Sequence, residues 1–470
     1  MTAIFAALAA AMVSLAAPPG TIVGIDLGTT SSAIAVCLGD VPSVVPNPDG
    51  GGATVPSLVT LAGDGLVPRV GSHAGPDALS STKRLIGRSY DDASQNAAIR
   101  ALFRASTLVR LPDGTAGLRH HGVETSPEAA AAAILQSLLD TSADACGVRA
   151  ERAVIGVPAH FTDAQRAATK AAAEVAGLDK VRLLEEPIAA ALAYGAGVDN
   201  TDVATDELVM CFDLGGGTLD VSILRVGGGT AEVLSSAGEP LLGGDDFDLA
   251  IAAHLSKEGP LDDDGRVADA RSPALRRAAR RLKEQLTVSK VAEVEWTHGG
   301  PATLSLSRAG LESASAELLE RLRNPIVRAC TQAQIALPGA AGGAAARAAG
   351  NNAMRQLGRP SLKGRRIDRV LRVGAASRMP AVGKVLEALV GIPCPIGSVS
   401  PEQAVALGCA VQAGILDGAI ENMDVFNPLE AALLRGLSAP PGRSQRERTG
   451  EPSGSRRKKR RRTGAPRTGS

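Results

Sequence analysis

The chain has 470 residues, of which only 2% are aromatic, and a formal net charge of +1. That length holds two or three domain-sized cores, which must be built mainly from Ala, Val, Leu and Ile. The near-zero balance excludes a global field for nucleic acid or membrane, although it hides a strongly basic C-terminus.

In chain order, residues 4–17 are almost uninterruptedly apolar. This run falls short of the roughly 20 residues of a membrane span. A secretory h-region has this length, and the small residues that follow suit a cleavage site, but no Lys or Arg precedes it. Signal peptide, short anchor and Ala-rich leader all remain open for residues 1–19. Two motifs then decide the chain: Ile25-Asp26-Leu27-Gly28-Thr29-Thr30 and Phe212-Asp213-Leu214-Gly215-Gly216-Gly217-Thr218-Leu219-Asp220. Apolar runs flank each, the pattern of strand, tight turn and strand with an aspartate entering the turn. Glycine lets backbone N–H groups approach phosphate oxygens, and threonine hydroxyls add donors. A carboxylate does not bind phosphate, so the aspartates suit a bridging cation or its water.

Between these hairpins, Ser126-Pro127-Glu128 predicts a helix start. Residues 154–158 predict a buried strand, and Asp163 predicts the cap of a helix ended by Gly177. After the second hairpin come a basic helix at 274–286 and an Ala/Gly/Asn-rich loop at 337–364. A strand at 367–373 feeds Gly374-Ala375-Ala376-Ser377-Arg378, and Ser400-Pro401-Glu402-Gln403 predicts the start of a last helix. The run 456–462 is seven consecutive cations. Self-repulsion predicts a solvated, extended run, with RNA, an import receptor or an anionic membrane as candidate contacts. The six cysteines (Cys37, Cys146, Cys211, Cys330, Cys394 and Cys409) form no CxxC pair and have no histidine at metal spacing. They read as buried small hydrophobes.

The two hairpins, with Val157-Pro158-Ala159-His160-Phe161, Leu184-Glu185-Glu186-Pro187 and Leu242-Gly243-Gly244-Asp245-Asp246-Phe247-Asp248, resemble the 70-kDa heat-shock protein (DnaK-type) chaperone family. The resemblance runs with gaps from Thr21 to Leu416. It implies an α/β fold: an actin-like (ribonuclease-H-like) two-lobed ATPase domain, each lobe a mixed sheet with flanking helices. Lobe I would span 20–199 and lobe II 200–398, with a helix at 399–417 returning to lobe I and a basic, disordered tail at 418–470. The residues left after Leu416 are too few for a peptide-binding sandwich with its lid, so no peptide-binding domain and no direct peptide site are expected. Within the family, this layout is most similar to the truncated, microsome-associated stress-70 type. The compartment implied is the endoplasmic reticulum or microsomes if the leader is a signal, and otherwise the cytoplasm or nucleus.

The resemblance also implies ATP or ADP with Mg2+, and admits K+. Gly28, Thr29 and Thr30 would wrap one side of the phosphates, and Gly215, Gly216, Gly217 and Thr218 the other. Gly243, Gly244, Lys283, Thr287, Gly374 and Arg378 would hold the rest of the nucleotide. Asp26, Glu186 and Asp213 would hold Mg2+ through water, Lys83 would reach the γ-phosphate, and Asp220 would complete the water network. The nucleoside end departs from the family pattern. Arg280 stands where the family has a ribose-binding glutamate, and Glu284 where it has an arginine stacked on the adenine. One helical turn separates the two, so they are placed to pair with each other. Ala375 and Ala376 replace a glycine and a serine, and Glu402 an aspartate. Two functions therefore stand side by side. One is a slow ATPase working through J-domain proteins, exchange factors or another chaperone; the other is a non-catalytic interaction module. The sugar and acetate kinases share the hairpins but not the other segments.

Overall fold

The computed structural model describes residues 21–418 apart from 39–40, 50–51, 62–67, 76, 97–98, 101–102, 104–106, 148–149, 196–205, 228–229, 258 and 340–363. The expected leader, nearly all of the expected loop at 337–364, and the tail lie outside the described residues.

Two mixed sheets carry the fold. The first contains β1 (Ile22–Asp26), β2 (Ser31–Leu38), β3 (Val41–Val44), β4 (Arg152–Val157) and β5 (Lys180–Glu185), in the order β5-β4-β1-β2-β3. The second contains β6 (Glu207–Leu214), β7 (Leu219–Gly227), β8 (Thr230–Glu239) and β9 (Arg369–Val373), in the order β8-β7-β6-β9. Their plans match: a leading strand turns back antiparallel through a glycine hairpin and pairs in parallel with a much later strand on its other edge. The leading strands are buried almost throughout, as near-continuous apolar runs require. Each brings an aspartate, Asp26 or Asp213, to its C-terminal end.

The helices follow local signals. Ser126 caps α1 (Pro127–Cys146) by accepting from the Ala129 amide, and proline occupies the first turn. This helix lays Ile134, Leu135, Leu138 and Leu139 into the core of the first sheet. In α2 (Asp163–Val175) the cap is Thr162 rather than Asp163, because Thr162 and Gln165 close a reciprocal capping box. Gly177 follows the helix at φ 91°. A short α3 (Glu186–Ala193) starts where β5 ends, so Glu186 sits at the tip of the sheet. In the second half, α4 (Gly244–Ser256) packs beside α5 (Pro273–Gln285) around Phe247, Leu275 and Leu282. The last helix, α6 (Ala404–Asp417), begins after the turn at 401–403 rather than within it.

A core cluster that includes Ala189, Ala190, Val209, Cys211, Leu371, Ala404 and Cys409 joins the two sheets through α3 and α6. Cys211, Cys330, Cys394 and Cys409 are buried and outside any disulfide, Cys37 is half-buried, and the side chain of Cys146 is not described. Close approach dominates this junction. A Cβ on Gly24 would stand 2.2 Å from the Ala410 amide nitrogen, and one on Gly408 would stand 1.7 Å from the Ala189 carbonyl oxygen. Gly408→Ala therefore has to push α6 off α3. The expected cost is about 3 kcal/mol, measured by denaturant unfolding of the full chain; a loss below about 0.5 kcal/mol would contradict this packing.

Candidate functional site

The hairpin ends of both sheets open onto one cavity of about 740 Å³. Asp26, Gly28, Thr29 and Thr30 line it from the first hairpin, and Asp213, Gly215, Gly216, Gly217, Thr218 and Asp220 from the second. Lys83 and Glu186 line it between them, and Gly244, Lys283, Thr287, Gly374 and Arg378 line its other end. Gly243 stands behind the wall: a Cβ there would meet the Gly217 amide nitrogen at 2.4 Å, so this glycine lets α4 start directly against the second hairpin. The two hairpins nearly touch, since a Cβ on Gly216 would lie 2.5 Å from Thr30 Oγ1. Hydroxyls brace the first hairpin: Ser57 donates to the Gly28 carbonyl at 2.8 Å, and the Gly28 amide donates to Ser32 at 3.2 Å. The α4 N-terminus, the glycine turns and the threonine hydroxyls together offer the donors a polyphosphate needs.

At the centre, Lys83 Nζ donates to Glu186 Oε1 at 2.8 Å, with both side chains nearly buried. Burial pulls the Lys83 ammonium down, but Glu186, Asp26 and Asp213 outweigh it and raise its pKa above the ordinary value. The carboxylates are the strained partners. Burial first, then Glu186, pushes Asp26 up to about 7, against the opposing pull of Lys83. Asp213 is pushed well up by burial and then by Glu186, Asp220 and Asp26. Asp220 is raised to about 6 by burial, against the opposing pull of His160. This excess of buried negative charge over one lysine suits a bound divalent cation. Among the described residues no three His, Cys, Asp or Glu side chains converge to hold a metal directly.

The same shifts set a pH dependence. Folded Asp26 and Asp220 hold protons over a range where the unfolded chain, with carboxylates near 4, has lost them. Their contribution to stability is complete below the unfolded value and is lost as the pH rises through about 6 to 7. In metal-free, nucleotide-free solution, Asp26→Asn is therefore expected to raise the thermal midpoint more at about pH 8 than at about pH 5. An equal shift at both would contradict it.

At the other end of the cavity, Lys283 Nζ stands 2.6 Å from buried Asp248 and donates to the Gly244 carbonyl at 2.8 Å. Arg280 does not pair with Glu284 as the helical spacing allows. Two α4 carboxylates take it instead, with Arg280 Nε at 2.8 Å from Asp248 and its Nη2 on Asp245. Glu284 thus lines the cavity with no ion pair among the described residues. Thr287 turns its hydroxyl back to the Glu284 carbonyl at 2.6 Å. Arg378 meets both Glu402 oxygens at 3.0 Å and Ser400 Oγ at 2.6 Å. Burial pushes the Glu402 carboxyl up, but hydrogen bonds from Arg378, its own backbone and Ser400 outweigh it and hold it below its ordinary value. Gly374 has φ 77°, and a Cβ there would lie 2.3 Å from the Leu214 carbonyl oxygen.

Sequence reasoning missed three contributors. Arg84 crosses the cavity to the carbonyls of Gly217 and Pro240. Asp248 anchors Arg280 and Lys283 of α5. His160 lines the cavity beside Asp220. All three stood within the motifs quoted above or next to Lys83, but only tertiary packing shows what they face.

Two mixed sheets with matching hairpins, flanking helices and a glycine-walled cavity between them define an actin-like α/β fold. The chain belongs to the Hsp70 family: the family model described as Hsp70 protein matches residues 22–338 and 350–429. It is similar to the "Chaperone protein DnaK" of Deinococcus radiodurans, 36% identical over 424 residues, covering 84% of this chain and 60% of that protein. Similarity to the "Chaperone protein dnaK" of Cyanidioschyzon merolae is 36% over 426 residues, 86% of this chain and 63% of the relative. For the "Chaperone protein DnaK" of Mycoplasmoides gallisepticum it is 35% over 437 residues, 90% and 65%. The chain thus spans less than two thirds of the length of these relatives.

Proposed function

We propose that the cavity binds Mg·ATP or Mg·ADP, hydrolyses ATP slowly, and supports protein folding through partners that sense how far the cleft is closed. The observation that carries this reading is the Lys83–Glu186 pair set among Asp26, Asp213 and Asp220 between two glycine hairpins. Residues 20–199 and 200–398 act as the two lobes, with α6 tying the second back to the first.

Each residue has a part. Gly28, Thr29, Thr30 and Gly215 to Thr218 hold the phosphates by their amides and hydroxyls. Asp26, Glu186 and Asp213 hold Mg2+ through water, and the ion when bound neutralises phosphate charge. Lys83 stabilises the charge that grows on the γ-phosphate. Asp220, already raised to about 6, accepts the proton of the attacking water. Lys283, Gly244 and Gly374 position the nucleoside, and K+ is a further cation the family resemblance admits. J-domain proteins, nucleotide-exchange factors or another chaperone are the partners this reading requires.

A second reading, a non-catalytic interaction module with weak nucleotide binding, has one observation in its favour. Arg280, Lys283 and Arg378 at the nucleoside end are all neutralised by carboxylates, while Glu284 is not. Phosphate release from Mg·ATP by the full chain separates the two. Slow, Mg2+-dependent release supports the first reading, and nucleotide binding without release supports the second.

A further inference from the structure

The strand β4 ends at Val157, and the turn that follows carries His160 to the mouth of the cleft. This turn is braced. The Phe161 amide donates to the Pro158 carbonyl at 3.0 Å, and Arg166 donates to the Phe161 and Ala159 carbonyls at 3.3 and 3.4 Å. Arg166 is itself held by Glu185 at 3.1 Å. The imidazole therefore projects from a fixed backbone. Its side chain is 56% exposed, so it contributes little to the core, yet Nδ1 stands 3.5 Å from Asp220 Oδ1. Among the described residues it is the one histidine that lines the cavity.

The two residues come from opposite sheets: His160 follows β4 of the first, and Asp220 lies in β7 of the second. The contact thus spans the cleft and depends on how the sheets close. Asp220 also needs an orienting partner. It sits opposite Asp213 in the hairpin register, and Glu186 pushes against it as well. Its positively charged neighbours are Lys83 and Arg84, which the Glu186 carboxylate and the Gly217 and Pro240 carbonyls engage. At 3.5 Å the imidazole Nδ1 is a charge contact of one Asp220 oxygen, and lobe closure that shortens it to an N–H hydrogen bond would fix the carboxylate's rotation and leave the other oxygen to receive a proton.

We propose that His160 is a positioning residue for hydrolysis: reaching across the cleft, it orients Asp220 toward the attacking water when the lobes close. This rests on the ATPase reading above. In the step it serves, the water oxygen bonds to the γ-phosphorus, and the bridging P–O bond breaks with its electron pair going to ADP. The water proton passes to Asp220 and then to solvent.

The test compares full-length wild type, His160→Phe and His160→Asn by single-turnover hydrolysis and by ATP titration. His160→Phe is expected to slow hydrolysis about tenfold or more while the ATP dissociation constant changes less than about threefold. His160→Asn retains an N–H donor and is expected to recover most of the rate. Hydrolysis by His160→Phe at the wild-type rate overturns the proposal, as does a matched loss of rate and binding without Asn rescue. A wild type that binds Mg·ATP but never turns it over overturns the ATPase reading and the positioning role with it. The contact is read separately from the thermal midpoints of His160→Phe, Asp220→Asn and the double variant without nucleotide: non-additive shifts support it, and additive shifts overturn it.

Discussion

Lys83→Ala is expected to lower the single-turnover rate of ATP hydrolysis about 100- to 1,000-fold, while weakening ATP binding less than about tenfold. The asymmetry follows from where the lysine sits. Its ammonium is nearly buried against Glu186 and is the cation beside Asp26 and Asp213, so low dielectric amplifies its field on charge developing at the γ-phosphate. Ground-state binding rests instead on the glycine amides and threonine hydroxyls of the two hairpins, which the substitution leaves in place. Removing the lysine also strips compensation from three buried carboxylates, so the variant is expected to depend more steeply on Mg2+ for its thermal stability than the wild type. Phosphate release after rapid mixing, set beside a binding titration, measures both halves of the statement. Weakened ATP binding with an unchanged single-turnover rate would mean that Lys83 serves binding only.

Glu284→Arg is expected to tighten ATP binding about tenfold without altering the affinity for inorganic tripolyphosphate. Glu284 lines the end of the cavity proposed for the nucleoside and, among the described residues, makes no ion pair, so in this reading its carboxylate faces an electron-rich base. A guanidinium in its place offers a planar cation that stacks on a purine face. The change places a like charge one turn from Arg280, but Arg280 and Lys283 stay anchored from α4 by Asp248. Tripolyphosphate is the discriminating ligand. If both ligands tighten alike, the new arginine acts through general charge; if neither does, the base does not meet position 284.

Much of the fold was legible because local chemistry decided it. Both hairpins were readable from an aspartate, glycines and hydroxyls between apolar runs, and α1 from Ser126-Pro127, which caps it as expected. Other features turned on competition that adjacent residues do not reveal. Asp163 and Thr162 are both good caps, and the capping box with Gln165 chose Thr162. Arg280 and Glu284 are suitably spaced on one helix, yet Asp245 and Asp248 from a neighbouring helix win the guanidinium. Gly408 looks like an ordinary helix interior glycine until α3 is seen pressed against it. The two hairpin turns were readable because they are set by adjacent residues; the placements of His160 and Asp248 arise from contacts between distant segments.

The central claim is that this cavity takes Mg·ATP, and the thermal midpoint of the full chain with and without millimolar Mg·ATP tests it most directly. A nucleotide that binds only the folded state must raise the midpoint, by an amount set by its concentration over its dissociation constant. The account predicts a clear upward shift that is lost in Lys283→Ala or Asp213→Ala. An unchanged midpoint at saturating Mg·ATP would contradict it, and would leave the fold as a scaffold for partners alone.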